Sequence, residues 1–311
     1  MRQVTKWLGV ALSVLLMVGL LTANSAMAAR KNVIIGSLTW SGSQAIEQIM
    51  KYVLEEKLDI DVEITTVAQP VLWAALDKGS ADVYPDIWMP NQKAGWDKYV
   101  EGRKSVAAKL SYDKAAEGFW MPVKIAKEHG IKSVFDLKGK EKMFDTNGDG
   151  KGEMWVGPFD WAVTDKNIAK IKNYGLDLEA VKIQQWLFLA ILKESMRKDK
   201  PLVFYYWQPE WPMAKYDLIK LEEPPYDDAK PMATAFPPAT IYVGVSKKMK
   251  ERLPKAYKFF MNWYMPIDEV STLIADLEDV PGNPKKDSAK VAKDWVESNP
   301  KIVNDWLKGV R

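Results

Sequence analysis

The sequence predicts an α/β protein of two lobes, each a mainly parallel sheet flanked by helices, with a hinged cleft between them. Three observations carry this expectation. From Asn32 to Trp88 the patterns alternate β-α-β-α-β, the order that builds a parallel sheet with its ligand edge at the carboxyl ends of the strands. The roughly 283 residues after Ala28 exceed one ordinary domain and fit two. The Pro-rich span Glu222 to Pro238 reads as a return crossing, and two crossings between α/β lobes build a hinge. The lobes are expected to comprise residues 29–116 plus 235–311 and residues 117–234.

Taken in order, Asn32 to Ser37 is an apolar run read as a buried strand. Ser43 to Glu56 places Ile46, Ile49, Met50 and Val53 at helical spacing. Asp59 to Val67 alternates through Ile60, Val62 and Ile64, which predicts a second strand. A short helix from Pro70 to Lys78 leads to a strand over Ala81 to Trp88. The chain then crosses near Ala115, with strands predicted at Phe119 to Ile125, before Gly157, and at Pro201 to Trp207. Helices are expected to start at Ser133, to run from Trp161 to Lys172, and to span Ile183 to Lys198. Ala239 to Ser246 reads as a strand and the remainder as helical, with Trp186, Trp263, Trp295 and Trp306 packing between elements. The alternating charges of Lys285 to Lys293 suit a solvated helix face.

The first 28 residues predict export. Arg2 and Lys6 precede an apolar stretch, Trp7 to Ala23, and Ala26-Met27-Ala28 is a small-x-small cleavage pattern. The stretch is short for a membrane span, no cysteine follows to carry a lipid, and a freely diffusing periplasmic protein is expected. The whole chain has 44 Lys and Arg against 41 Asp and Glu, and loss of Arg2 and Lys6 leaves 42 against 41. Near neutrality gives no electrostatic case for nucleic acid or anionic membrane. With no cysteine and His129 alone, disulfides, thiolate nucleophiles, His-based triads and multi-histidine metal sites are excluded. A monomeric, non-enzymatic protein is expected. His129 precedes Gly130 and reads as a solvated helix end.

Fourteen tryptophans are the compositional signal. Trp40, Trp88, Trp161 and Trp207 each stand just beyond a predicted strand. They are either core residues or the walls of one pocket. Tryptophan is the best cation-binding π surface, and a quaternary ammonium offers no N–H for an oriented hydrogen bond. At roughly 0.5–2 kcal/mol per ring, four rings approach the ~8 kcal/mol of a micromolar site.

The phrases Trp88-Met-Pro, Phe144-Asp-Thr-Asn-Gly-Asp-Gly-Lys, Tyr205-Tyr-Trp207-x-Pro-x-Trp211 and Asp294-Trp295-Val…Asn299-Pro…Asp305-Trp306-Leu resemble those of the glycine betaine/proline betaine/choline-binding proteins of ABC importers. The resemblance spans essentially the whole mature chain. It implies the periplasmic binding protein fold, a quaternary or methylated amine as ligand, an importer permease as partner and no cofactor. It also implies that Trp88, Trp161 and Trp207 form the cage, with Trp40 as the additional wall of choline-binding relatives. Phe119, with Trp120 as its neighbour, falls where relatives often carry a further aromatic residue. Trp211 is read as support for the cage segment. The backbone amides of Ala162 and Val163 are implied as carboxylate donors, and Gln92 takes the place of a carboxylate-binding histidine.

Two departures leave the ligand open among glycine betaine, proline betaine, choline and trimethylamine N-oxide. Gln92 brings no positive charge. Glu117 replaces a glutamine, either as an acid facing the cage or as a solvated hinge charge; the first resembles the N-oxide binders of the family. Gly42, where the choline binder carries an acid, disfavours choline. Separately, Asp145-x-Asn147-x-Asp149-Gly150-Lys151-x-Glu153 begins like an EF-hand calcium loop but has Val156 at position twelve. A structural calcium site and an ordinary Asx-rich turn are both open. A methylamine-acting enzyme and a calcium sensor are the readings from other classes.

Overall fold

A computed structural model describes residues 31–278 and 284–310 of the chain. The proposed leader, residues 1–28, lies outside the described residues. Strand β1 (Val33–Ser37) enters helix α1 (Ser41–Leu58), and β2 (Val62–Thr66) enters α2 (Gln69–Lys78), followed by β3 (Val83–Met89). This β-α-β-α-β unit matches the sequence reading to within a few residues. On α1 the buried residues include Ile46, Ile49, Met50 and Val53, the stripe that its periodicity picked out. A short α3 (Lys93–Trp96) and a π-helical turn (Asp97–Gly102) then lead to β4 (Val106–Pro122).

β4 corrects the sequence reading. The expected strand from Phe119 to Ile125 begins 13 residues earlier and ends at Pro122, because Val123 opens α4 (Val123–Glu128). The early part, Val-Ala-Ala-Lys-Leu-Ser-Tyr-Asp-Lys, lacks clean two-residue alternation, and its pairing slips at Leu110/Tyr112 and at Tyr112/Ala115. Lys114 sits at a φ of 64° within the second slip, a bulge that hides the strand from a period-two search.

The second half continues through β5 (Gly152–Trp155), α5 (Thr164–Asn173), β6 (Leu178–Val181), α6 (Gln185–Lys198), β7 (Val203–Gln208), α7 (Trp211–Lys215) and β8 (Leu218–Lys220). The helix expected from Ser133 is a single 3₁₀ turn, Val134–Leu137, capped by the Ser133 side chain. β9 (Ala239–Ser246) returns the chain, and α8 (Met249–Arg252), α9 (Pro254–Asn262), α10 (Ile267–Glu278), α11 (Pro284–Ser298) and α12 (Pro300–Trp306) complete it.

The strand order is β2-β1-β3-β9-β4-β7-β5-β6, with β8 also on β4. Pairings among β1, β2 and β3 and among β5, β6 and β7 are parallel. Those made by β4 and β9 are antiparallel. Each lobe is thus parallel at its outer strands and antiparallel where the chain crosses. β4 pairs with β9 as far as Ala115 and with β7 from Ala116, so one strand belongs to both lobes.

The C-terminal helices lock onto this shared strand. Trp263 stacks on Trp306 at 4.2 Å and Trp306 on Trp295 at 5.8 Å, while Trp263 Nε1 donates to Ser111 Oγ of β4 at 2.8 Å. These three rings are buried as expected. Trp186 is not: it is 69% exposed, because the buried face of α6 is Gln185, Phe188, Leu189, Leu192 and Ser195. Trp211 is buried, covered by the ammonium groups of Lys193 and Lys215. His129 caps α4 at the surface.

Candidate functional site

The carboxyl ends of β1, β3, β5 and β7 converge on one space: Trp40 and Trp161 stand in the loops after β1 and β5, whereas Trp88 and Trp207, expected beyond their strands, are the next-to-last residues of β3 and β7. Trp40 meets Trp161 at a centroid separation of 5.5 Å and 83°, Trp161 meets Trp207 at 5.1 Å and 73°, and Trp207 meets Trp88 at 6.4 Å and 77°. Successive walls near a right angle form three corners of a box. The fourth corner, between Trp40 and Trp88, is tied from behind by a carboxylate: the indole N–H groups of Trp40 and Trp88 (2.9 Å) both donate to Asp86 Oδ2, and Tyr112 OH donates to Oδ1 at 3.0 Å.

A cavity of about 40 Å³ lies at this site, lined by Trp40, Trp88, Trp161 and Trp207 together with Gln69, Asn91, Gln92, Ala162, Val163 and Tyr205. That volume is far below the roughly 300–1,000 Å³ of small-molecule sites, so the walls must part to admit a ligand. Gly157 allows the Trp161 wall. Its φ is +100°, and a Cβ there would lie 2.8 Å from Thr164 Oγ1 and 3.2 Å from the Trp161 ring.

No side chain lining the box is charged. Two acids stand one layer behind it. Asp86 is fully buried; burial pushes its carboxyl up, and the bonds from Trp40, Trp88 and Tyr112 pull it back. Glu117 is likewise buried and pushed up by burial, with hydrogen bonds from Tyr205 and Asn91 opposing. Asn91 Nδ2 donates to both Glu117 oxygens at 2.8 Å, Tyr205 OH donates to one of them, and Lys166 Nζ donates to Asn91 Oδ1 at 3.0 Å. Glu117 is therefore neither a cage wall nor a solvated hinge charge. It lies opposite Trp207 in the β4–β7 register and reaches the site through Tyr205 and Asn91.

The same register corrects two further expectations. Trp120 pairs with Phe204 and donates its N–H to the Tyr206 carbonyl; strand alternation puts it on the sheet face opposite Glu117 and Trp207. Phe119 shares the cage face but is fully buried against Tyr174, and its cross-strand partner Tyr205 lines the site instead.

Gln92, Ala162 and Val163 do line the site. Trp73 Nε1 donates to Gln92 Oε1 at 2.9 Å, and Gln92 Nε2 donates to Gln69 Oε1 at 2.6 Å. The Ala162 amide donates to the same Gln69 oxygen at 3.0 Å. Lobe-to-lobe ties complete the ring: Trp161 Nε1 donates to Thr39 Oγ1 at 3.0 Å, and the Gly42 amide, in the first turn of α1, donates to Glu210 Oε1 at 3.3 Å. Such a helix-start N–H lacks an intrahelical partner, and a carboxylate suits it.

Sequence reading missed Asp86, Gln69, Asn91 and Tyr205. Asp86 lies inside the Asp-Ile-Trp phrase, two residues before a cage wall. Gln69 and Asn91 follow strands β2 and β3, so the strand-end rule that found the tryptophans applied to them too. Lys170 was also missed. It is buried, reaches Glu223 at 3.2 Å and the Thr234 carbonyl, and covers the Phe236 ring at 4.3 Å, pinning the return segment to α5.

In the Asp145–Glu153 loop, the carboxylates of Asp145 accept from the amides of Gly148 (2.6 Å) and Gly150 (2.8 Å). Asn147 accepts from Asp149 N and Asp149 from Lys151 N. Glu153 accepts from Thr146 and Asn147. This is the Asx-turn geometry, and among the described residues no three His, Cys, Asp or Glu side chains converge as a metal-holding group.

Two mixed α/β lobes joined by a shared strand, with an aromatic box between them, define a two-lobed solute-binding protein. Residues 31–298 match the family model described as the substrate binding domain of an ABC-type glycine betaine transport system, and the chain belongs to that family. It is 24% identical over 291 residues to the glycine betaine/proline betaine-binding periplasmic protein of Escherichia coli K12, covering 85% of this chain and 83% of that one. The similarity to the glycine betaine/carnitine transport binding protein GbuC of Listeria monocytogenes is 29% over 145 residues, and spans less than half of that protein's length. Among solved structures, an ABC-transporter choline-binding protein in complex with choline matches with a TM-score of 0.75 at 20% identity, over 90% of this chain and 92% of that one.

Proposed function

We propose that this protein is the exported receptor of an ABC importer and captures a methylated ammonium solute, the head group that glycine betaine, proline betaine, choline and trimethylamine N-oxide share. One observation supports it above the rest: four tryptophans closed into a box by three near-perpendicular contacts and one buried carboxylate. Ring faces meet the diffuse positive charge of the methyl groups. Asp86, accepting both indole N–H bonds, makes those rings richer in π density and adds its own field. No proton donor is required of the ligand. Family membership and the glycine betaine binders among the relatives agree with this reading.

Residues 29–116 with 235–311 and residues 117–234 are proposed to open and close about the shared strand, admitting ligand when the lobe-to-lobe bonds release. The closed form would dock on the permease, the protein acting as a periplasmic monomer. The site offers a binding box rather than a nucleophile, so transport without turnover is the reading.

Calorimetric titration with glycine betaine, choline, trimethylamine N-oxide and 3,3-dimethylbutanol, the neutral isostere of choline, tests the proposal. Cationic or zwitterionic ligands should bind at least about tenfold more tightly than the isostere. Equal affinity for the isostere would mean that the box is merely an apolar pocket.

A further inference from the structure

We propose that Gln69 sets the selectivity of the site between methylated ammonium ligands that carry a carboxylate and those that do not, by holding its own amide oxygen where a ligand carboxylate would dock. The inference rests on the cage reading given above and concerns the other end of the ligand.

Two donors of the site wall converge on one point. One is the backbone N–H of Ala162, from the second lobe; the other is the carboxamide N–H of Gln92, from the first. Gln69 Oε1 occupies that point, 3.0 Å from the first and 2.6 Å from the second. The orientation of both carboxamides is fixed by groups that can only donate. An indole N–H has no acceptor character, so the Trp73 bond assigns the facing atom of Gln92 as oxygen and turns its NH₂ toward Gln69. A backbone N–H can only donate as well, so the Ala162 bond independently requires the Gln69 atom to be oxygen. Flipping Gln69 would set its NH₂ against two donors.

All three residues line the same space as the four tryptophans. A ligand held by its methylated head, with an acid group at the other end, would present a carboxylate to this donor pair. It is a stronger acceptor than an amide oxygen, but it must first displace Gln69, which is 8% exposed and already bonded to both donors. A ligand ending in a hydroxyl leaves the internal bonds intact. Gln69 thus taxes carboxylate ligands and spares the others.

The test is the ratio of the glycine betaine Kd to the choline Kd, measured by calorimetry on the full mature chain, with melting curves to establish folding. Q69A frees both donors and should move the ratio about tenfold in favour of glycine betaine. Q69E keeps the side-chain length and puts a carboxylate at the point itself, and should move it in the opposite direction by a similar factor. A ratio unmoved in both variants overturns the proposal and leaves Gln69 a tie between lobes. A ratio moved against glycine betaine in Q69A also overturns it, showing that Gln69 contacts the carboxylate favourably. If neither ligand binds the unaltered protein, the cage reading itself fails and the proposal falls with it.

Discussion

Trp40 and Trp88 are fastened to the same atom, Asp86 Oδ2, although 48 residues of chain separate them. The two rings cannot be moved independently without breaking a charge-assisted hydrogen bond inside the protein. Asp86 therefore sets the width of one corner of the box and, through the indole N–H groups, the electron density of two of its walls.

Replacing Asp86 by Asn tests both roles. Asn retains one acceptor oxygen but sets an NH₂ near groups that only donate, so stability should fall by about 1–3 kcal/mol. Loss of the charge should weaken binding of a methylated ammonium ligand about tenfold. Calorimetry beside denaturant melts separates the two; an unchanged affinity would show that the ligand does not feel this carboxylate.

The pH dependence of stability should identify Glu117. Burial raises its carboxyl above the ordinary 4.5, so the folded protein holds that proton more tightly than the unfolded chain. The resulting stabilisation is fully present below about pH 4.5 and is lost as pH rises through the folded value. Glu117→Gln lacks this contribution. The stability of the unaltered protein relative to E117Q should therefore decline as pH rises above about 4.5, as followed by urea unfolding between about pH 4 and pH 8. A difference independent of pH would show that Glu117 titrates as an exposed carboxyl does.

Gly157→Ala should damage the site from outside it. The added methyl would be strained by the positive φ and would press on Thr164 and the Trp161 ring, costing about 1–3 kcal/mol. Binding should weaken about tenfold with it, and the tryptophan emission spectrum should shift.

Lys170→Met should be the most destabilising of these changes, by about 3–5 kcal/mol, since it strands the buried Glu223 carboxylate. A second change, Glu223→Gln, should recover a large part of that loss, because Tyr174 still donates to the side chain at this position. By contrast Trp186→Ala, on the exposed edge of α6, should stay within about 0.5 kcal/mol and leave binding unchanged. Thermal melts of the four proteins rank them directly.

These contrasts also mark what the sequence reveals. The four cage tryptophans were legible because a large aromatic residue at or near the carboxyl end of a strand is conspicuous and strand ends are where α/β sheets bind ligands. Placement relative to a sheet face was not legible at Phe119 and Trp120. Their strand begins at Val106 behind a bulge, so the alternation that separates the two faces could not be phased. Glu117 had the same difficulty: the alternatives of cage wall and solvated charge omitted a buried carboxylate behind the wall, which only the β4–β7 register reveals. Asp86 and Gln69 stand where the strand-end rule looks, but an Asp and a Gln are not conspicuous there, and the partners Trp40, Tyr112 and Ala162 that give them their roles lie far along the chain. The calcium-like spacing of Asp145, Asn147 and Asp149 illustrates the converse. Oxygens at alternate positions suit a cation and the loop's own amides equally well, so the spacing alone does not separate a calcium loop from the Asx turns seen here.

Keeping both acids one layer behind the walls has a kinetic consequence. A carboxylate touching the ligand would shed its water at every capture and recover it at every release. Asp86 and Glu117 shed theirs once, when the chain folds, and thereafter act on an arriving cation by field alone. Attraction of that kind varies smoothly with distance and has no bond to break at the end. Under the proposed docking and opening, this gives the protein a grip that a small movement of one lobe would relax.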